Sequence, residues 1–132
     1  MKHAAIAVIF VALLCTTAFS EEPGPATAPS ISPAELDMQR KSGVAPVVVD
    51  VRTSEEYAVG HIPGAVNIPF DQVAERIGQV DAPYGVALYC MVGPRARKGE
   101  SALLASGYKN VFHIEGGLAA WQAAGLPVAG KQ

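Results

Sequence analysis

The sharpest chemical signal in the sequence is a cysteine followed five residues later by an arginine, in Cys90-Met91-Val92-Gly93-Pro94-Arg95. The apolar run Val86-Ala87-Leu88-Tyr89 directly before it reads as a strand buried on both faces, which puts Cys90 at a strand end, its sulfur expected at the sheet's exposed rim and not in the interior. From Arg95 onward the pattern turns helical. A short loop containing Gly93 can curl between strand and helix, so that its backbone N–H groups converge as an anion-binding nest. The helix start adds unbonded N–H groups and the positive end of its dipole. Arg95 adds a fixed charge, with Arg97 and Lys98 close behind. All of these favour a thiolate over a thiol. An ordinary cysteine ionises near pH ~8.5, whereas settings of this kind bring that to about 3.5–7.5. The expected chemistry is therefore nucleophilic attack by Cys90, with the loop stabilising negative charge on a bound substrate. The competing reading is an inert cysteine buried at the end of a strand.

Cysteine count sharpens the choice. The sequence has two cysteines, Cys15 and Cys90. Lys2 and His3 give a positive start, residues 4–15 form an unbroken apolar run, and Ala18-Phe19-Ser20 supplies small residues before a cut after Ser20. That is the pattern of a secretory signal peptide over residues 1–20, and it is shorter than the ~20 apolar residues of a membrane span. The expected location is periplasmic or secreted, with no membrane attachment after cleavage. The mature chain then keeps Cys90 alone, in a compartment where thiols tend to oxidise and no internal partner exists.

The elements that must position this cysteine follow from periodicity and punctuation. Residues 21–31, rich in Pro, Ala and small polar residues, read as a flexible tether, with order expected from Ser32. Ser32-Pro33-Ala34-Glu35 is a helix start, and the helix should run to about Ser42 before Gly43. Residues 46–51 form a β-branched run expected as a buried strand. Thr53-Ser54-Glu55-Glu56 caps a short helix that Gly60 ends. An extended piece over 65–68 and a helix over 70–77 follow. After the 86–90 strand come a helix over 95–106, a strand over 111–114 and a last helix over 117–124. Strands alternating with helices imply one α/β domain with a parallel sheet covered on both faces, and 132 residues suffice for one such domain. A net charge of −2 argues against nucleic acid as a partner.

Several stretches carry a family resemblance. They are Val48-Val49-Asp50-Val51-Arg52, Glu56-Tyr57, the run from Gly60-His61-Ile62-Pro63-Gly64 to Pro69, and the Cys90–Arg95 loop. Gly107-Tyr108, Asn110-Val111, Gly116-Gly117, Trp121 and Gly125-Leu126-Pro127 complete the ordered set. Together they resemble the rhodanese-like sulfurtransferases over residues 32–130. The resemblance implies a single domain with a parallel sheet of about five strands. It also implies a mechanism: Cys90 takes the outer sulfur of a small anionic donor such as thiosulfate, holds it as a persulfide, and yields it to cyanide or a cellular thiol. No metal or organic cofactor is required in that scheme. Members of this type close the loop with Arg five residues after Cys, whereas related phosphatases and arsenate reductases use a loop one residue longer. The spacing of Cys90 and Arg95, with Ala96 next, matches the sulfur-transferring form. A carrier or docking module with little turnover would use the same loop.

Within the loop, Met91, Val92, Gly93, Pro94, Arg95 and Ala96 are the expected substrate-binding residues. Met91 and Val92 are apolar where many thiosulfate-using members have basic or polar residues, and Pro94 lacks an N–H. Asp50, Arg52, Glu56 and His61 are the expected supporting residues. For Asp50 and Arg52 the plainer alternative is a structural network with Arg52 paired to Glu56. For His61 it is a turn-fixing hydrogen bond. His113 lies in a predicted strand with no partner evident in sequence and reads as packing, as does Trp121. One mature cysteine and two separated histidines give little support for a metal site. The expected oligomeric state is a monomer.

Overall fold

A computed structural model describes residues 27–130. The expected signal peptide lies outside the described residues. Five strands, β1 (Ser30–Ile31), β2 (Val47–Asp50), β3 (Val66–Asn67), β4 (Val86–Tyr89) and β5 (Val111–Ile114), form one parallel sheet in the order β1-β5-β4-β2-β3. Between them run α1 (Pro33–Lys41), α2 (Ser54–Val59), α3 (Val73–Arg76) and α4 (Pro94–Ala105), and α5 (Gly117–Ala123) follows β5. The β4 strand sits between β2 and β5, so its C-terminal end opens at the middle of the sheet's rim. Ligands of open parallel sheets bind at such ends.

Alternation along the strands divides the core in two. Val86, Leu88 and Cys90 face one side with Val49, Val51, Val73, Ala96 and Leu103. Ala87 and Tyr89 face the other with Val48, Leu36, Ile62, Leu118 and Trp121. The central strands, β4 throughout and β2 up to Asp50, are apolar on both faces because helices cover both, as the continuous apolar runs require. Trp121 is fully within the core, as expected, and its indole N–H donates to the Pro127 carbonyl at 2.8 Å.

Local capping fixes where the helices begin. The Ser32 hydroxyl accepts from the Glu35 N–H at 3.1 Å, with Pro33 at the first helical position, as expected from the sequence. Thr53 and Glu56 form the reciprocal cap of α2. Residues 70–77, expected as a helix, are helical only from Val73 and end in a 3-10 turn, Ile77–Gln79. The largest departure is at the N-terminal side. Ser30 and Ile31, assigned by composition to the flexible tether, form β1 and pair with His113 and Ile114. Order therefore begins before Ser32. Ala28 and Ile31 are both buried, and Arg97 donates to the Ala28 carbonyl at 2.9 Å, so apolar burial and a charged donor fix a segment that its Pro and Ala content left unspecified.

A buried polar network locks the ends of β2 and β4. Asp50 Oδ1 accepts from Arg52 Nε at 3.0 Å and Oδ2 from Arg52 Nη2 at 2.7 Å. The Tyr89 hydroxyl donates to Asp50 Oδ2 at 2.6 Å and accepts from the Ile62 N–H at 3.0 Å. Arg52 Nη2 also donates to the Gly60 carbonyl at 2.6 Å, and Asn67 donates to the carbonyls of Asp50 and Arg52. Burial and the bond to Asp50 push the Tyr89 hydroxyl well above the usual phenol range. Burial pulls the Arg52 guanidinium down, but the bond to Asp50 and its charge outweigh that and raise it. The pairing of Arg52 with Glu56 considered from sequence is not made, because Asp50 lies two residues away on the same rim and takes the Nε–Nη2 edge of the guanidinium, with Nη2 shared with the Gly60 carbonyl. Removing one partner of a fully buried ion pair leaves an uncompensated charge. Arg52→Met should therefore lower stability by about 3–5 kcal/mol in urea unfolding, far more than any single exposed ion pair in this fold.

Candidate active site at the end of the fourth strand

Cys90 is the first residue after β4, and the loop from Met91 to Gly93 leads directly into α4 at Pro94. The Gly93 N–H points back at the cysteine and lies 3.0 Å from Sγ. Gly93 has φ +157° and its carbonyl accepts from the Arg97 N–H at 3.0 Å, so one residue both closes the loop and starts the helix. Pro94 fills the first helical position, where an N–H would have no carbonyl to meet. The amides of Arg95 and Ala96 belong to the first turn of α4, which leaves them without intrahelical acceptors.

The loop is held from outside by its carbonyls. The Leu118 N–H donates to Cys90 O at 2.9 Å and the Ala119 N–H to Met91 O at 3.0 Å. These donors come from the first turn of α5, whose position at the loop requires Gly117. Its φ is +61°, and a Cβ there would lie 2.5 Å from Cys90 O and 2.7 Å from Met91 O. Nothing but glycine fits that approach.

Two sequence expectations about electrostatics change in the structure. Cys90 lies at the rim in chain order, but it is 1% exposed, covered by its own loop rather than open to solvent. The outer residues of that loop, Met91 and Val92, are exposed, whereas Ala96 is buried. Among the three basic residues after the loop, Arg97 turns away to Ala28 and Ser30, and Lys98 lies over the Phe70 ring. Arg95 alone stays beside the loop, and it is paired: Nη1 donates to Glu56 Oε1 at 2.7 Å and Nη2 to Oε2 at 3.0 Å. Beside Arg95 is an open hollow of about 320 Å³ bordered by Thr53, Ser54, Phe70 and Gln72.

Glu56 thus serves two elements, capping α2 and clamping Arg95. The bond to Arg95, opposed by some burial and aided by Thr53, holds its carboxyl at about 2. His61 donates from Nδ1 to the Tyr57 carbonyl at 2.7 Å and stacks on the Tyr57 ring, which fixes the turn. Asp50 and Arg52 sit beneath the rim as the network described above. Among the described residues, no three His, Cys, Asp or Glu side chains cluster as metal ligands.

A pair that the sequence reading missed lies under the loop. Glu100 on α4 and His113 on β5 are both buried, and His113 Nδ1 is 2.7 Å from Glu100 Oε1 and 3.0 Å from Oε2. His113 therefore has a polar partner and is more than packing. The signal was present in the helix pattern: Ala96, Gly99, Glu100 and Leu103 form the buried stripe of α4, and a glutamate on that stripe requires a buried partner.

With this geometry in view, the sequence profile of the family "Rhodanese-like domain" matches residues 32–124. The chain belongs to the rhodanese-like domain family. This rhodanese-like domain is 33% identical over 86 residues to a sulfurtransferase of Allochromatium vinosum, covering 65% of this chain and 80% of that protein. It is 35% identical over 100 residues to an HTH-type transcriptional regulator of Mycobacterium tuberculosis, covering 75% of this chain but 44% of the regulator. Among solved structures, it matches a thiosulfate sulfurtransferase from Pseudomonas aeruginosa with a TM-score of 0.72 and 27% identity, covering 80% of this chain and 21% of that one. The chain thus spans most of the Allochromatium protein but less than half of the regulator and about a fifth of the Pseudomonas chain, whose solved structure shares its fold.

The Glu56–Arg95 pair gives a pH test. Glu56 has a folded value below its ordinary 4.5, so its contribution to stability is complete above about 4.5 and is lost as pH falls toward about 2. Glu56→Gln should remove that component of acid unfolding while changing stability at pH 7 by about 1 kcal/mol or less, because both side chains are a third exposed. Urea midpoints measured across pH 2 to 7 check both parts.

Proposed function

We propose that this chain is an exported sulfurtransferase that carries sulfane sulfur on Cys90 from an anionic donor of the thiosulfate type to a thiol acceptor. The observation that carries the reading is the Gly93 N–H directed at Cys90 Sγ from 3.0 Å, inside a loop that Arg95 closes five residues on. Family membership and the sulfurtransferase relatives support sulfur transfer in general.

In the first half-reaction the Cys90 thiolate attacks the outer sulfur of thiosulfate. The new S–S bond forms as the bond to the sulfonate sulfur breaks, and sulfite leaves with that electron pair. The terminal sulfur of the persulfide then carries the negative charge among the loop amides. In the second, an acceptor thiolate (or cyanide) attacks the terminal sulfur and releases the Cys90 thiolate. Two displacements on one nucleophile give ping-pong kinetics. Burial of Cys90 restricts entry to a donor whose reacting end is a single slender atom, and a terminal sulfur meets that requirement. The N-terminal apolar segment supports a periplasmic or secreted location for the mature chain.

A second reading, a persulfide carrier loaded by another protein, is favoured by one feature. Met91 and Val92 are apolar and exposed on the loop, where a docking cysteine-bearing surface would meet them and a free anion gains nothing. Sulfite release separates the two: continuous turnover with thiosulfate and a dithiol marks the enzyme, and a single stoichiometric burst marks the carrier.

Incubation of the purified protein with thiosulfate should raise its intact mass by one sulfur atom and release one equivalent of sulfite. Cys90→Ser should abolish the adduct and lower transfer to cyanide by at least about a thousandfold. An unmodified mass with a free Cys90 thiol would contradict the thiosulfate-using enzyme and leave only the carrier loaded by another protein.

A further inference from the structure

The mechanism above leaves the buried Glu100–His113 pair unused, yet its position is specific. His113 is in register with Leu88 on the adjacent strand, and its side chain lies on the same sheet face as Leu88 and Cys90. Its Nδ1 is taken by Glu100, so the opposite edge of the ring faces outward toward the loop. A Cβ placed on Gly93 would lie 3.8 Å from both His113 Cε1 and Nε2. The imidazole thus packs beneath the residue whose N–H donates to Cys90 Sγ. Among the described residues His113 Nε2 has no hydrogen-bond partner of its own.

The charged groups around the pair are few. Arg97 on α4 lies 4.0 Å from Glu100 and is itself anchored on the segment leading into β1. Cys90 lies at the end of β4. The flanking strand residues on that face, Leu88 and Val111, are apolar.

A carboxyl and an imidazole joined in this way exchange one proton with solvent over the neutral range, and that proton decides what Nε2 presents. With it, the pair is neutral overall and Nε2 carries hydrogen. Without it, Nδ1–H is given to the carboxylate, the pair has charge −1, and Nε2 is a bare acceptor. Burial raises Glu100 to about 7 against the pull of Arg97, and burial with Arg97 lowers His113.

We propose that Glu100 and His113 form a one-proton dyad that positions the Cys90 loop and tunes its sulfur. The protonated dyad turns an N–H toward the loop and favours an anionic sulfur on Cys90, whereas the deprotonated dyad opposes it. His113 acts through the loop, as a positioning residue. The inference rests on Cys90 being the nucleophile of the proposed reaction. Because the coupling is reciprocal, it appears in whichever of the two groups loses its proton second.

Two measurements on the full chain read it. The first is the pH profile of Cys90 alkylation by iodoacetamide in the wild type and in Glu100→Gln, with His113→Asn as the substitute if that variant does not fold. The second is the NMR titration of the His113 ring in the wild type and in Cys90→Ser, which leaves the dyad intact. A displacement of about one pH unit is expected in one of the two comparisons, the size of a single-charge coupling across a protein interior. The alkylation profile would move to lower pH in Glu100→Gln, or the His113 titration to lower pH in Cys90→Ser. Superimposable curves in both comparisons, with Cys90 reactive, would overturn the dyad alone. A Cys90 inert to alkylation across the whole range would instead sink the nucleophile reading, and the dyad's role with it.

Discussion

The site depends on where two carbonyl groups point. In a trans peptide the C=O and the N–H of one unit lie on opposite sides. The first turn of α5 binds Cys90 O and Met91 O, and so turns the N–H groups of Met91 and Val92 away from α5. Gly93 completes the turn and directs its own N–H at the sulfur. The loop is thus shaped by a helix from the far end of the sequence, not by its own residues alone. Gly117 is the point of closest approach, which is why a side chain cannot stand there. Everything assigned to Cys90 follows from that docking, since a loop free to turn its carbonyls inward would repel an anion.

Around this loop the fold supplies two kinds of electrostatic support with different energetic weight. The Asp50–Arg52–Tyr89 network is buried, fully paired and directly beneath the rim, where it fixes the ends of β2 and β4. Its value is rigidity, since breaking it costs far more than forming it gains. The Glu56–Arg95 pair is a third exposed and screened by solvent, so it adds little stability. Its role is to hold the guanidinium bidentately at the loop's far end, pre-oriented and with its charge shared. The group in direct contact with the sulfur is therefore a backbone N–H, with Arg95 engaged by Glu56, a different arrangement from the one the basic cluster Arg95, Arg97 and Lys98 suggests.

Much of this was legible in the residues. The β-branched runs and the capping signals at Ser32 and Thr53 place β2, α1 and α2, and the strand-to-helix transition after Tyr89 places Cys90. Those signals are local, carried by neighbours in sequence. What was not legible depends on contacts between distant segments. β1 is a strand only because β5 offers an open edge and Arg97 reaches Ala28. Arg52 chose Asp50 over Glu56 because of rim geometry, and Glu56 then met Arg95, 39 residues away. The burial of Cys90 reflects how closely the loop folds over it, which spacing alone does not report. Glu100 and His113 lie 13 residues apart on different element types, and only the glutamate on an otherwise apolar stripe hinted at the pairing.

The central claim is that the Cys90 loop presents its amides to an anionic sulfur. The most direct measurement is a crystal structure of the protein after reaction with thiosulfate. The account predicts a second sulfur bonded to Cys90 Sγ, seated within hydrogen-bond distance of loop N–H groups between Met91 and Ala96, with the Cys90 and Met91 carbonyls still bound to α5. A loop whose carbonyls had turned toward that sulfur, or a sulfur seated away from the amides, would contradict it.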